Sequence, residues 1–550
     1  MKRDLHDVSS REYDVLIIGG GIYGSFMAWE AVTRGLSVAL VEKNDFGSAT
    51  SSNSQKIIHG GFRYLQHADL KRVRESVRER THLMQIAPHL IHPLPVLLPT
   101  YGRGLKSQAV LKIALSIYDA LSWDRNRNSD PGKNIPRGIL LSKEEVLKIA
   151  PGIEKNGLTG GAVFYDAQVY NSERLILAIL KSAHLEGAKL ANYAQVTGFL
   201  KDKNGVTGVK ILNSMDQTTY EIRSLNVINT GGPWVKKILS LATEKKEPLM
   251  KQVKCFNLVT KKIFDTYAVG LYGHDHYQDQ DAILNKGSRL FFVTPWRGHS
   301  VVGTYLSHYE DEPDKMQVSE NDIEELIRDF SRAYPPAQLK RRDISLIQKG
   351  FLPGSHKSQD SNAQIAKHYQ IVDHARDGVD HLISVIGVKY TTARDVAEKT
   401  IDYVLKKMNR PSSPSNTARI PLYGGEISHF KNFTHEAIQK EKRLPPDQVS
   451  SLIRNYGSKY PEVLKYLPQD KNISPLLALL QSEILHGIHE EMAQTLRDIV
   501  FRRTDIGTLG YPGKETLEFC ARVMKEALGR TEAEAQAEIR STENSYPFIS

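Results

Sequence analysis

The chain has 550 residues, 40% hydrophobic and 25% charged, which is ordinary for a soluble globular protein with material for two to four domains. Lysine and arginine number 73 against 63 aspartates and glutamates, a net charge of +10 that suits an anionic substrate or an anionic membrane surface. No long basic tract and no zinc-ligand spacing accompany that charge, which argues against nucleic acid as a partner. Cys255 and Cys520 stand far apart and outside any CxxC, so neither a disulfide framework nor a metal site is expected; they read as two buried thiols in a reducing compartment. The N-terminal MKRDLHDVSSREYD lacks the apolar stretch of a signal peptide, and no run of 18 apolar residues predicts a transmembrane helix. The expectation is a cytoplasmic protein, with peripheral attachment to the inner face of the membrane left open.

Tyr13–Glu42 reads as strand, helix and strand. Val15–Ile18 is an unbroken apolar run, as a parallel strand buried on both faces requires. Gly19-x-Gly21-x-x-Gly24 follows at once. Gly19 permits the tight turn, Gly21 lets a pyrophosphate approach the backbone, and Gly24 lets the helix pack closely on the strand. Amides at the helix start, with the helix dipole, favour the pyrophosphate's negative charge. Val38–Val41 is the second strand and ends at Glu42, where a carboxylate accepts hydrogen bonds from the adenosine ribose and disfavours a 2′-phosphate. Isolated glycine triplets often mark plain turns; here all the parts stand in order and predict a dinucleotide, with FAD and NAD still to be separated.

Ser48–Ser54 is dense in hydroxyls, and Thr50, Ser51 and Ser52 are placed to donate to phosphate or ribitol; in isolation such a stretch is a solvated loop. Ile57–Tyr64 gathers His59, Gly60, Gly61, Arg63 and Tyr64, and the glycine pair permits close backbone approach to a flat ring. Asp69–Met84 has helical spacing with Leu70, Val73, Val77 and Leu83 inward and its arginines on a solvated face.

GGGIYG, the strand ending at Glu42, ATSSNSQKIIHGGFRYLQ and the later APHL together resemble the FAD-dependent glycerol-3-phosphate dehydrogenase/oxidase family. Other flavin-dependent amine and hydroxyacid oxidases share the first motif but rarely the TSS…K-x-x-HGG-x-RYL block. The resemblance implies FAD rather than NAD, bound non-covalently, with Gly19, Gly21, Gly24 and Glu42 on the ADP half. Thr50, Ser51, Ser52 and Lys56 then face the phosphates and ribitol, and Gly60 and Gly61 the flavin.

Further along, Leu105–Trp123 is an apolar-rich helix interrupted by Lys106 and Lys112. It reads as a core helix of a cap domain, with a membrane-surface helix as the alternative. Ser142–Glu145 is a capping box. Ala162–Asp166 looks like a strand returning to the nucleotide sheet, and a helix starts at Asn171. Val196 ends another strand, and the resemblance puts its backbone against the adenine. After the strand Leu225–Asn229, Thr230-Gly-Gly-Pro-Trp234 resembles a family turn in which the backbone around Gly231 and Trp234 approaches the pyrophosphate. Lys251–Thr304 alternates strands and turns, as an antiparallel sheet over the flavin would, and Ser319–Tyr334 is an amphipathic helix stopped by Pro335-Pro336.

Leu382–Val385 is a short buried strand before Ile386–Arg394, which resembles the family's GGK-x-TT-x-R with Val388 in place of the second glycine. The resemblance implies that Gly387, Val388 and Thr391 hold the flavin ring and that Lys389 points at the substrate. Asn409–Thr417 is a Pro/Ser linker. Leu476–Thr504 has helical spacing throughout, and its His486 and His489 read as surface histidines rather than metal ligands.

The expected fold class is α/β and α+β. A discontinuous Rossmann-like FAD domain would comprise 1–90, 155–245 and 345–408, an antiparallel-sheet cap 91–154 and 246–344, and a helical C-terminal domain 418–550. The expected reaction is oxidation of a secondary alcohol to a ketone, with the carbon's hydride passing to the flavin. His59 is the candidate base, because imidazole titrates near physiological pH. Arg63, Tyr64 and Lys389 would bind an anionic head group, which the resemblance implies to be that of sn-glycerol 3-phosphate. Two positions depart from the family pattern: Leu352 and Lys367 stand where arginines are usual, which points to a related anionic alcohol as a second reading. The electron acceptor, quinone or oxygen, and a homodimer are left open. The alternatives are a flavin oxidase of 2-hydroxyacids or amines, or a flavoprotein without catalysis.

Overall fold

The computed structural model describes residues 1–102, 107–243, 250–273, 290–355, 363–470 and 472–547. Two mixed sheets carry the fold. The first runs in the order Gln370–Asp373, Leu382–Ile386, Thr219–Asn229, Glu12–Ile18, Val38–Val41, Lys189–Ala191, with Gly205–Asn213 and Ala194–Asp202 folded antiparallel beside Thr219–Asn229. From Leu382–Ile386 to Lys189–Ala191 all neighbours are parallel. Val15, Leu16 and Ile17 are fully buried, as their unbroken apolar run requires. The helices Ile22–Thr33, Ser172–Leu185 and Ala393–Lys407 supply the core on one face.

Register decides where the site forms. Ile18 lies opposite both Asn229 and Val41, so three strands end at one level. Gly19, Glu42 and Thr230 therefore emerge together at the carboxyl edge, where ligands bind in parallel sheets.

The second sheet runs Ile344–Gly354, Lys251–Lys261, His299–Tyr309, Leu290–Trp296, Ala268–Tyr272, Ile91–Tyr101, Leu158–Val169, Ile57–Ile58, with Ile139–Leu141 also on Leu158–Val169. Two assignments change here. Ala162–Asp166 does not return to the nucleotide sheet: it lies in a 12-residue strand paired antiparallel with Leu94–Leu98, and Ile344–Gly354 likewise joins this sheet against Lys251–Lys261. A short apolar run states that it must be buried but not which sheet supplies its partner. The helix Glu320–Ala333 begins at a Ser319/Asp322 capping box and packs Ile323, Leu326 and Phe330 onto this sheet.

The helix Leu70–Ile86 turns Val73, Val77 and Leu83 inward as expected, but differs at its start and at two arginines. Leu70 is 48% exposed, while Arg72 and Arg80 are buried. Gln108–Leu121 buries Leu115 and Tyr118 but exposes Ile113 and Ile117, followed by Trp123; Leu105 and Lys106 lie outside the described residues. Among the described residues, no helix is long and apolar enough to cross a membrane.

The helical C-terminal region contains Phe430–Lys440, Pro446–Tyr456, Pro475–Glu491, Lys514–Leu528 and Glu532–Glu543. The helix read through Leu476–Thr504 is in fact broken. Met492 takes a left-handed conformation (φ 57°), Thr495 caps a new start, and a π-helical turn over Ile499–Arg503 swings Arg503 towards the nucleotide sheet. There its guanidinium meets Asp45 at 2.7 and 2.8 Å. His486 is buried against Tyr456 and Tyr466 rather than on the surface, and His489 stacks on Tyr466.

Candidate active site

The carboxyl edge of the first sheet and the inner face of the second enclose a cavity of about 1,320 Å³. Drug-sized ligand pockets typically run about 300–1,000 Å³, so this one has room for a dinucleotide and a small second molecule. Gly19 (φ +106°) turns the chain so tightly that a Cβ would lie 2.8 Å from the Thr230 carbonyl oxygen, and a Cβ on Gly24 would lie 1.9 Å from that of Gly19. Gly24 thus serves close helix–strand packing, as expected. Gly21 caps the helix Ile22–Thr33, and the Ser51 hydroxyl accepts from the Ile22 amide at 3.0 Å. Glu42 accepts from the Gly20 and Asn44 amides at 2.7 and 2.9 Å, which aims its carboxylate at the cavity; burial raises its pKa.

Gly19, Gly21, Glu42, Thr50, Ser51, Val196, Gly231, Trp234, Gly387, Val388 and Thr391 all line this cavity, as do His59, Gly61, Arg63, Tyr64 and Lys389. Four expected contacts do not reach it, the first being Gly24, which is turned into the packing between helix and strand. The Lys56 ammonium is fully buried and held by Glu173 at 2.8 Å, the Ser52 carbonyl and the Ser172 hydroxyl. The Ser52 hydroxyl donates to the Gly47 carbonyl, closing its own loop. Gly60 is small for a different reason than flavin approach: a Cβ would collide with the Tyr118 hydroxyl at 2.1 Å and with Arg80 at 2.4 Å.

Sequence reasoning missed Tyr23. Its ring lies where a Gly387 Cβ would project (2.0 Å), and its hydroxyl donates to the Lys389 carbonyl at 2.7 Å while accepting from the Lys389 amide at 3.1 Å. Burial pushes this phenol up to about 12, so it stays neutral and locks the Gly387–Lys389 turn onto the dinucleotide helix. The aromatic inside GGGIYG was the available signal. Asp166 was missed as well, though it was the acid ending an apolar strand. One of its oxygens meets His59 Nδ1 at 2.9 Å; the other accepts from the Gly60 amide at 2.6 Å, with Arg80 at 3.8 Å. Fixing Nδ1 this way leaves Nε2 for the cavity, where the His59 side chain is 46% exposed.

Cationic groups gather at the same end. Lys389 Nζ sits 3.7 Å from the Tyr64 ring centroid, and burial, then the charge of Arg72, pushes it down to about 7. These residues fit a flavin nucleotide: a glycine cradle, a fixed carboxylate, and a proton acceptor beside cations.

The comparisons agree. Residues 14–399 match the model of the FAD dependent oxidoreductases, and residues 415–535 that of the C-terminal domain of alpha-glycerophosphate oxidase. The chain is 33% identical to a glycerol-3-phosphate dehydrogenase of Synechocystis over 92% of this chain and 90% of that one. The chain belongs to the FAD-dependent glycerol-3-phosphate dehydrogenase family. FAD is its cofactor. A mitochondrial glycerol-3-phosphate dehydrogenase of Mesocricetus auratus is 30% identical, covering 97% of this chain and 73% of that one. The structure of the Bacillus halodurans glycerol-3-phosphate dehydrogenase complexed with FAD superposes with a TM-score of 0.77 at 26% identity, covering 98% of this chain and 95% of that one. Leu352 and Lys367 both stand in the cavity wall.

Proposed function

We propose that the protein oxidises the secondary alcohol of sn-glycerol 3-phosphate to the ketone of dihydroxyacetone phosphate. One observation carries this reading: a histidine oriented by a buried carboxylate and a cluster of cations open into the same cavity as the dinucleotide cradle. Its relatives named glycerol-3-phosphate dehydrogenase support the substrate.

In this reading His59 Nε2 takes the hydroxyl proton, and Asp166 stabilises the imidazolium that results. Arg63 and Lys389 hold the phosphate, Arg63 as a planar fork and Lys389 as a point charge. Tyr64 forms the wall beneath the lysine. The bound FAD supplies a two-electron acceptor for the carbinol hydride. Gly19, Gly21 and Glu42 hold its ADP half, with the Val196 and Gly231 backbones beside it. Thr50 and Ser51 face its phosphates and ribitol, and Gly387, Val388 and Thr391 the ring. Leu352 favours a second reading, a different anionic alcohol, because an apolar side chain replaces one charged contact there.

The final electron acceptor would be quinone or oxygen. The exposed stripe of Ile113, Ile117 and Trp123 supports peripheral contact with a membrane and hence quinone. The deciding experiment is anaerobic bleaching of the flavin by glycerol 3-phosphate, other polyol phosphates, 2-hydroxyacids and amines. Fast bleaching by glycerol 3-phosphate is expected; bleaching only by amines or hydroxyacids overturns the alcohol phosphate.

A further inference from the structure

Four arginines on the helix Leu70–Ile86 differ in how their charge is met. Arg74 pairs with Asp124 at 2.5 Å and Arg78 with Asp395 at 2.7 Å, and Arg80 lies 3.8 Å from Asp166. Arg72 forms no ion pair with any carboxylate among the described residues. Arg72 nevertheless is 8% exposed and lines the cavity, and its guanidinium carbon lies 4.2 Å from the Tyr64 ring centroid. One Nη donates to the Lys367 carbonyl. The other face of the problem is Lys389, whose ammonium lies against the same ring at 3.7 Å. Two cations sharing one aromatic ring in a poorly hydrated wall repel each other; burial first, and then the charge of Arg72, lowers the Lys389 pKa. An anion placed between them and the cavity removes the repulsion and uses guanidinium donors that the Lys367 carbonyl leaves over.

We propose that Arg72 is a substrate-binding residue that grips the anionic group of the alcohol together with Lys389, supplying a guanidinium to a wall where Leu352 supplies none. The inference rests on the alcohol-phosphate reading above for the identity of the anion. It explains how the cavity keeps its positive character despite Leu352, and it separates Arg72 from its three helix neighbours, each of which faces a carboxylate of the protein.

The test uses the FAD-loaded protein and inorganic phosphate as the probe, followed by the change in flavin absorbance on titration. Losing a charge-assisted contact should weaken phosphate binding about 10- to 150-fold in Arg72→Gln. Glutamine keeps a donor for the Lys367 carbonyl, so a merely structural Arg72 would leave Arg72→Gln titrating like the wild type, which overturns the proposal. Arg72→Lys, which restores charge without the fork, should recover part of the loss. The KM for glycerol 3-phosphate should rise in Arg72→Gln in step with the phosphate constant. A wild-type protein whose flavin spectrum ignores phosphate also overturns the proposal. An Arg72-dependent phosphate titration without bleaching by any polyol phosphate would instead sink the substrate reading and leave the anion site standing. Bleaching by glycerol 3-phosphate with an unchanged KM in Arg72→Gln would sink the Arg72 assignment alone.

Discussion

His59 and Asp166, 107 positions apart in the chain, meet at 2.9 Å through Nδ1 and Oδ2, and the second carboxylate oxygen is tied to the Gly60 amide beside the histidine. The same short segment thus both carries the imidazole and anchors its orienting acid. Asp166→Asn presents an amide whose donor face no longer requires the proton on Nδ1. We expect kcat with glycerol 3-phosphate to fall about 10²–10⁴-fold, the usual range for losing a general base, with FAD content unchanged. A wild-type kcat in Asp166→Asn would remove His59 from the proton step.

Lys389 sets a pH dependence. With its pKa lowered to about 7 by burial and by Arg72, it is a cation below that pH and neutral above it. Around it lie Tyr64, Arg72 and Ser76, with Glu75 and Asp69 raising its pKa slightly; burial raises that of Tyr64, which stays neutral. An anionic substrate needs the cation, so kcat/KM, which reports the free enzyme, should decline as pH rises through about 7. Lys389→Arg stays charged at every accessible pH and should flatten that limb. An unchanged alkaline limb in Lys389→Arg assigns it to another group.

Glu42 faces the cavity with both oxygens oriented by amides. Glu42→Ala should raise the FAD dissociation constant about 10- to 150-fold, equivalent to about 1.5–3 kcal/mol for a charged hydrogen bond. Fluorescence quenching of free FAD on titration with apoprotein measures it. Wild-type affinity in the variant would move the ribose contact elsewhere.

Lys56 makes the opposite prediction. Its ammonium is buried against Glu173 and outside the cavity wall. Lys56→Met leaves the Glu173 charge buried alone, which costs about 3–5 kcal/mol of stability. Urea denaturation should show that loss, while the FAD dissociation constant of the folded fraction changes little. A large loss of FAD affinity at unchanged stability would restore Lys56 to the cofactor.

Asp45, three residues beyond Glu42, is fully buried and clasped by Arg503 from the C-terminal helices. Asp45→Ala should free those helices from the nucleotide sheet and speed proteolysis in the exposed stretch 410–414. Proteolysis at the wild-type rate would show that apolar packing alone seats the C-terminal region.

Local order in the chain was enough for the dinucleotide cradle. Strand, glycines, helix and terminal acid act within 30 residues, and the backbone demands of Gly19 and Gly24 leave few other solutions. The same holds for the capping box at Ser142, whose hydrogen bonds span one turn. Resemblance extended the reading to HGGFRYL and Lys389, and the structure brings His59, Gly61, Arg63, Tyr64 and Lys389 into one cavity while Gly60 stays outside it. Tertiary structure decided the rest, because it depends on partners far away in the chain. Ala162–Asp166 announced burial but not its sheet, and only pairing with Leu94–Leu98 carries Asp166 to His59. Lys56 and Arg72 are both cations near motifs, and nothing local distinguishes them. A carboxylate 117 positions away withdraws Lys56 from the cavity, and the absence of such a partner among the described residues leaves Arg72 facing it. A buried charge goes where its counter-charge is, and that address is written in the fold rather than in the neighbouring residues.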